Sequence, residues 1–239
     1  SIKNILQGMR GGADVVELGL RKNDQNVVKN GWSIVARNLD RIYELTVNML
    51  AFSKDRKPDL EMTHLGTPLQ EIVDLTQNQF DQKQVALLTD LASDMPPVPV
   101  DAGGFHQAVL NLVNNALDAG EPGSGVVSLR LEYDQEHQQA VVSVADNGQG
   151  MSEDTRKRLF EPFHSTKGLR GTGLGLVVTK KIVDEHGGEI ACDSIPNHGA
   201  TFTIRLPLQR EHVPASADTH GPGAGSAMPN PRRPHPSRG

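Results

Sequence analysis

Apolar residues recur over residues 2–20 at Ile2, Leu6, Met9, Ala13, Val16 and Leu20, with spacings of 4, 3, 4, 3 and 4. That is the seam of a heptad helix. A polar stretch, Lys22 to Gly31, interrupts the pattern, and a second run then places Val35, Leu39, Ile42, Thr46 and Met49 at spacings of 4, 3, 4 and 3. The pattern predicts two helices folded back as a hairpin. Each seam is narrow, so one hairpin buries little apolar surface, and pairing of two hairpins into a four-helix bundle is expected. A monomeric hairpin packed on the rest of the chain is the alternative. Gly8, Gly11, Gly12 and Gly19 each weaken the first helix by about 1 kcal/mol relative to Ala.

The period then changes. Lys54 to Pro68 carries Pro58 and Pro68 and reads as a linker. Beyond it, Glu71 to Gln79 is predicted helical, and Val85, Leu87, Thr89 and Leu91 alternate as a strand. Gly103 to Ala119 places Phe105, Val109, Leu112, Val113 and Ala116 on one helical face. Val126 to Tyr133 and Ala140 to Ala145 are predicted strands, and Leu174 to His186 a helix closed by Gly187 and Gly188. Glu189 to Asp193 and Ala200 to Leu206 complete the strands. Helices mixed with antiparallel hairpins imply an α+β sandwich. From Gln209 onward almost no apolar side chain remains to offset ordering entropy, so residues 209–239 are expected to be a disordered tail.

Composition narrows the function classes. The 239 residues are 36% hydrophobic and 22% charged, the profile of a globular protein. The longest apolar run, Ala140 to Ala145, is already broken by Ser143, far short of the roughly 20 residues that span a bilayer. A formal charge of -5 argues against bulk attraction to nucleic acid or anionic lipid. The single cysteine, Cys192, makes no internal disulfide and suits a reducing compartment. The start at Ser1, without methionine or a signal-like segment, reads as part of something longer.

Four constellations lie between residues 111 and 176, and each has a plain structural explanation when taken alone. Asn111 and Asn115 are four residues apart and share a helical face. Two converging amide oxygens suit Mg²⁺ that also carries phosphate oxygens, although surface amides would look the same. Asp146-Asn-Gly148-Gln-Gly150 follows a strand. It reads either as an Asn-Gly hairpin turn or as a strand-end carboxylate that accepts from the adenine amino group while Gly148 and Gly150 let the backbone approach the base. Phe160-Glu-Pro162-Phe163 precedes Thr166 and Lys167; the aromatics pack, and Lys167 either reaches a terminal phosphate or remains a solvated charge. Gly171-Thr172-Gly173-Leu174-Gly175-Leu176 opens a helix, where backbone N–H groups and the helix dipole favour phosphate. Its glycine spacing is not that of a dinucleotide fold.

In this order and at these distances the four constellations resemble the N, G1, F and G2 boxes of the gyrase, heat-shock ATPase, histidine kinase and MutL superfamily. Gly199-Ala-Thr-Phe202 is similar to that superfamily's last glycine box. The F box and the heptad hairpin together resemble sensor histidine kinases, and residues 111–119 (NLVNNALDA) resemble the nitrogen-regulation branch. The resemblance covers residues 1–208. It implies a Bergerat α/β sandwich at 69–208, a linker at 57–68, and a dimerisation and phosphotransfer hairpin at 1–56 that forms a homodimer. It also implies ATP and Mg²⁺ as ligands, a response-regulator receiver domain as partner, and the bacterial cytosol as location. For the site it implies Asn111 and Asn115 on the metal, and Asp118, Asp146, Gly148, Gly150, Phe160, Phe163, Thr166, Lys167, Gly171, Thr172, Gly173, Leu174, Gly175 and Leu176 around the nucleotide. Gyrase-like and MutL-like ATPases carry a glutamate where Asn111 stands. An amide takes no proton, so phosphoryl transfer is implied over hydrolysis.

The family's acceptor box resembles His-x-Ile-Lys-Asn, and this chain begins Ser1-Ile2-Lys3-Asn4. The register places the phosphoacceptor histidine one residue before Ser1, about 200° around the helix from the Ile2 seam position. Residues 1–63 hold no histidine. Two functions therefore stand: an ATP-dependent protein histidine kinase, and a nucleotide-binding regulatory module without phosphotransfer.

Overall fold

The computed structural model describes residues 2–53, 58–164 and 173–209. The tail expectation, apart from Gln209, lies outside the described residues, as does residue 1.

Helices α1 (Ile2–Arg21) and α2 (Gln25–Ser53) form the hairpin. The polar stretch does not interrupt it for ten residues as its composition implied. The turn spans only residues 22–24, because Asn23 takes a left-handed φ of 52° and Asp24 caps α2, its carboxylate accepting from the N–H groups of Asn26 and Val27 at 2.9 and 3.2 Å. The heptad seam is also not the centre of the face that α1 turns toward α2: Met9 and Val16 are half-buried at its edge. Gly12 and Gly19 are the buried residues of α1, and Gly31 and Asn38 are buried on α2, whereas Ile2 and Leu6 are 51% and 53% exposed. The glycines weaken α1 as an isolated helix but permit backbone contact between the two helices. A Cβ at Gly31 would stand 2.6 Å from the Val16 amide nitrogen and 2.8 Å from the Gly12 carbonyl. Trp32, Leu39, Tyr43 and Leu50 on α2 point outward with the α1 seam.

The linker expectation is corrected at its far end. Residues 61–63 form β1 (Glu61–Thr63), which pairs antiparallel with β3 (Val98–Val100), and Leu65 is fully buried. Pro68 lies in the first turn of α3 (Gly66–Lys83), where its missing N–H removes no intrahelical hydrogen bond. Both elements are short or begin on residues that read as breakers, which hides them from periodicity.

A mixed five-stranded sheet follows, in the order β2 (Ala86–Leu91), β4 (Val126–Asp134), β5 (Gln139–Asp146), β7 (Ala200–Pro207), β6 (Glu189–Ser194). Only β2 and β4 run parallel; the other neighbours are antiparallel. Alternation along the central strands buries Val127, Leu129 and Leu131, then Ala140, Val142 and Val144, then Phe202, Ile204 and Leu206. Helices α3, α4 (Ala102–Ala119) and α6 (Gly175–Glu185) cover this sheet. A short helix, α5 (Glu153–Lys157), unpredicted by the pattern, is capped by Ser152. Helix α6 ends as Gly187 and Gly188 implied, with Gly187 at φ 71° and the Gly188 N–H donating to the Val183 carbonyl. Helix α2 also touches α6. No helix among the described residues is long and apolar enough to cross a membrane.

The hairpin contact predicts opposite effects of two Gly→Ala changes in thermal unfolding followed by circular dichroism. Gly11 has nothing within 4 Å of an added Cβ, so Gly11→Ala stabilises by about 1 kcal/mol. Gly31→Ala overpacks a backbone contact and destabilises by about 1 to 3 kcal/mol. Shifts of the same sign contradict the packing.

Candidate functional site

The site grows from α4. Phe105, Ala108, Val109, Leu112, Val113, Ala116 and Leu117 are buried, which fixes the helix's rotation and leaves Asn111 and Asn115 half-buried at the edge of that face. Asp101 caps the helix, its Oδ1 accepting from the Gly104 N–H at 2.9 Å. The Asp101 N–H in turn donates to His186 Nε2 at 2.9 Å, tying the start of α4 to the end of α6. At the other end of the helix, Asp118 is exposed in the last turn.

Asn111 is joined to the first turn of α6. Its Nδ2 donates to the Gly175 carbonyl at 3.3 Å and to Thr179 Oγ1 at 3.4 Å. Gly175 opens α6, and a Cβ there would lie 3.9 Å from Asn111 Cγ, so the glycine-rich turn and the amide pair adjoin. Leu174 is buried just before the helix, and Leu176 packs on the core.

Asp146 ends β5, and its Oδ1 accepts from the Gly148 N–H at 2.9 Å, which fixes the carboxylate. The hairpin-turn reading of Asn147-Gly148 fails: Asn147 accepts from the Val126 N–H at 2.8 Å and donates to the Ser124 carbonyl at 3.0 Å, bracing the start of β4. Gly148 and Gly150 also serve the packing of the fold. Both glycines are crowded by the protein's own backbone. A Cβ on Gly148 would lie 2.5 Å from the carbonyl oxygen of Ala119 at the end of α4, and one on Gly150, at φ 61°, would meet the Ile195 carbonyl. These glycines join elements together.

The same loop is bolted to the β6–β7 turn. The Met151 N–H donates to Ser194 Oγ at 2.9 Å, Ser194 Oγ donates to the Gly199 carbonyl at 2.8 Å, and the Asn197 N–H donates to the Gln149 carbonyl at 2.7 Å. Gly199, at φ 84°, lies against the Asp146 carbonyl, where any side chain would clash. Sequence reasoning reached Gly199 but missed Asn147, Thr179 and Ser194. Their roles come from contacts across the fold that no local pattern records.

The two phenylalanines divide. Phe160 packs on the core, with the Lys180 ammonium 6.0 Å from its ring centroid. Phe163 is 71% exposed in a left-handed conformation, its N–H donating to the Gly173 carbonyl at 3.0 Å. This contact brings the aromatic segment onto the glycine-rich turn. Thr166, Lys167, Gly171 and Thr172 lie outside the described residues. A cavity of about 490 Å³ lined by Phe160, Val177, Lys180, Lys181, Asp184 and Glu185 sits beside α6 and shares only Phe160 with the four motifs.

The donor set fits Mg²⁺. Asn111 commits its nitrogen to α6, and its Oδ1 accepts no hydrogen bond among the described residues, leaving a hard neutral oxygen. No group of three or more His, Cys, Asp or Glu that could hold a metal occurs among the described residues. Burial pushes the Cys192 thiol up to about 12, with the Asp193 charge adding to the shift.

Residues 100–210 match the family described as histidine kinase-, DNA gyrase B-, and HSP90-like ATPase. Sporulation kinase E of Bacillus subtilis (strain 168) is 34% identical over 179 residues, covering 75% of this chain and 24% of that protein. The sensory histidine kinase/phosphatase NtrB of Azospirillum brasilense is 31% identical over 219 residues, 87% of this chain and 53% of that protein. The chain thus spans between about a quarter and about half of these relatives. Among solved structures, histidine kinase ThkA in complex with response regulator protein TrrA shares the fold at a TM-score of 0.67 and 22% identity, over 87% of this chain and 60% of that one. Over residues 100–210 the chain is thus similar to the histidine kinase-, DNA gyrase B-, and HSP90-like ATPase family, and over most of its length to histidine kinases.

Proposed function

We propose that this chain is the dimerising and catalytic region of an ATP-dependent protein histidine kinase. Residues 69–208 bind MgATP, the γ-phosphoryl passes to a histidine one residue ahead of Ser1, and an aspartate of a response-regulator receiver domain then accepts it. The observation that carries the reading is the convergence on α4: the Asn111 amide anchored to Gly175, and the Asp146 loop wedged on Ala119. One helix gathers the amide pair, the strand-end carboxylate and the glycine turn.

Each residue then has a task. Asp146, held by the Gly148 N–H, accepts from the adenine amino group without having to reorganise. Asn111 and Asn115 offer amide oxygens to Mg²⁺, which neutralises phosphate charge when bound. The N–H groups of Gly173 and Gly175 at the start of α6, with Lys167, Thr166, Gly171 and Thr172, cradle the phosphates. Asn111 takes up no proton, so water is not activated and the phosphoryl group is conserved for a histidine.

Residues 1–56 form a homodimer in this reading. The support is the outward apolar set Ile2, Leu6, Trp32, Leu39, Tyr43 and Leu50, which a second hairpin would cover. A receiver-domain partner is supported by the complex in which the ThkA neighbour was solved. A reducing compartment, the bacterial cytosol, agrees with the lone cysteine. The second reading, a nucleotide-binding module without transfer, is favoured by the absence of histidine from residues 1–63.

Labelled ATP separates the two readings. This chain, and one carrying several more native residues ahead of Ser1, are incubated with it. The kinase reading expects acid-labile label on the longer chain only, and no label on either favours the module. Nucleotide choice tests the site itself. Asp146→Ala removes a charged acceptor and lowers ATP affinity by about 1.5 to 3 kcal/mol in calorimetry while leaving weak GTP binding unchanged. Unaltered ATP affinity would remove Asp146 from the adenine role.

A further inference from the structure

Thr179 is a buried polar residue, 0% exposed, one turn into α6 and outside every motif that points to nucleotide. A buried hydroxyl needs partners, and both of its partners belong to the site. Its proton goes to the Gly175 carbonyl at 3.0 Å, and its oxygen accepts from Asn111 Nδ2 at 3.4 Å. The Gly175 carbonyl accepts from the same Nδ2 at 3.3 Å. A carbonyl has only lone pairs to offer, so the amide must present nitrogen, not oxygen, to α6. With the Thr179 proton already spent on Gly175, the hydroxyl also faces Asn111 as an acceptor. Two acceptors therefore read the same end of one amide.

We propose that Thr179 is a positioning residue for the metal site: together with the Gly175 carbonyl it locks the Asn111 side chain with Nδ2 toward α6, so that Oδ1 is the atom offered to Mg²⁺. This rests on the reading of Asn111 as a metal ligand. Metal ligands are commonly oriented by such outer partners, whose loss costs about 10- to 100-fold in metal affinity. Without the hydroxyl, one of the two restraints on the amide is gone, and rotation exposes nitrogen in place of oxygen. Valine fills the same space, so the packing of α6 survives the test. Serine keeps the hydroxyl and is the rescue.

Calorimetry with ATP in Mg²⁺ and in chelator, on the full chain and on Thr179→Val, Thr179→Ser and Asn111→Ala, decides the matter. The expected result is an about tenfold loss for Thr179→Val in Mg²⁺, none in chelator, and recovery in Thr179→Ser. In the nucleotide-free protein the Asn111 side-chain NH₂ signals in ¹⁵N spectra shift and broaden in Thr179→Val and stay sharp in Thr179→Ser. Equal losses with and without metal, or wild-type affinity with unmoved NH₂ signals, overturn the proposal. If Asn111→Ala loses the Mg²⁺ dependence while Thr179→Val keeps it, the positioning role alone falls. If Asn111→Ala keeps it, the ligand reading falls and takes this inference with it.

Discussion

The structure of the site depends on one constraint, the burial of the apolar face of α4 between the sheet and its neighbouring helices. Phe105, Val109 and Leu112, each about 2% exposed or less, contribute roughly 1.5 to 3 kcal/mol apiece by leaving water. Together they allow the helix only one rotation. That rotation sets Asn111 and Asn115 at the edge of the buried face, points Asn111 at the first turn of α6, and brings Ala119 against Gly148. A polar site of this kind needs side chains placed with little freedom, and here the hydrophobic core supplies the placement.

Glycine does different work in the two halves of the chain, and in neither half is it only a flexible link. In the hairpin, Gly12, Gly19 and Gly31 let two helices meet backbone to backbone, which leaves Ile2, Leu6, Leu20 and Leu39 of the heptad set facing outward. In the catalytic domain, Gly148, Gly150 and Gly199 bring the Asp146 loop, the end of α4 and the β6–β7 turn into direct contact. Asp146 is thereby held from two sides, its carboxylate by the Gly148 N–H of its own loop and its backbone carbonyl by Gly199 of a hairpin about fifty residues away in sequence.

Much of this was legible in the sequence. Long periodic elements declared themselves: α1, α4, α6 and the alternating strands β4, β5 and β7 stand within a residue or two of their expected bounds. Asn111 and Gly175, singled out by spacing and order, stand together in the fold. What stayed hidden had physical reasons. The three-residue strands β1 and β3 are too short for a period, and Pro68 signals a break although it fits a first helical turn. The polar stretch after Arg21 suggested a long loop because composition does not reveal that Asp24 caps the next helix. Thr179 and Ser194 act on residues 68 and 43 positions away through tertiary contact, and Asn147 reaches 21 and 23 positions back to brace β4. The packing role of Gly148 and Gly150 against Ala119 and Ile195 was hidden for the same reason.

The most direct test of the account is an experimental structure of the chain with Mg²⁺ and a non-hydrolysable ATP analogue. The account predicts the Asp146 carboxylate within hydrogen-bond distance of the adenine amino nitrogen, amide oxygens of Asn111 and Asn115 on the ion, and phosphates against the Gly173–Gly175 turn. A nucleotide seated instead in the cavity lined by Lys180, Lys181 and Asp184, with the α4 amides untouched, would contradict it.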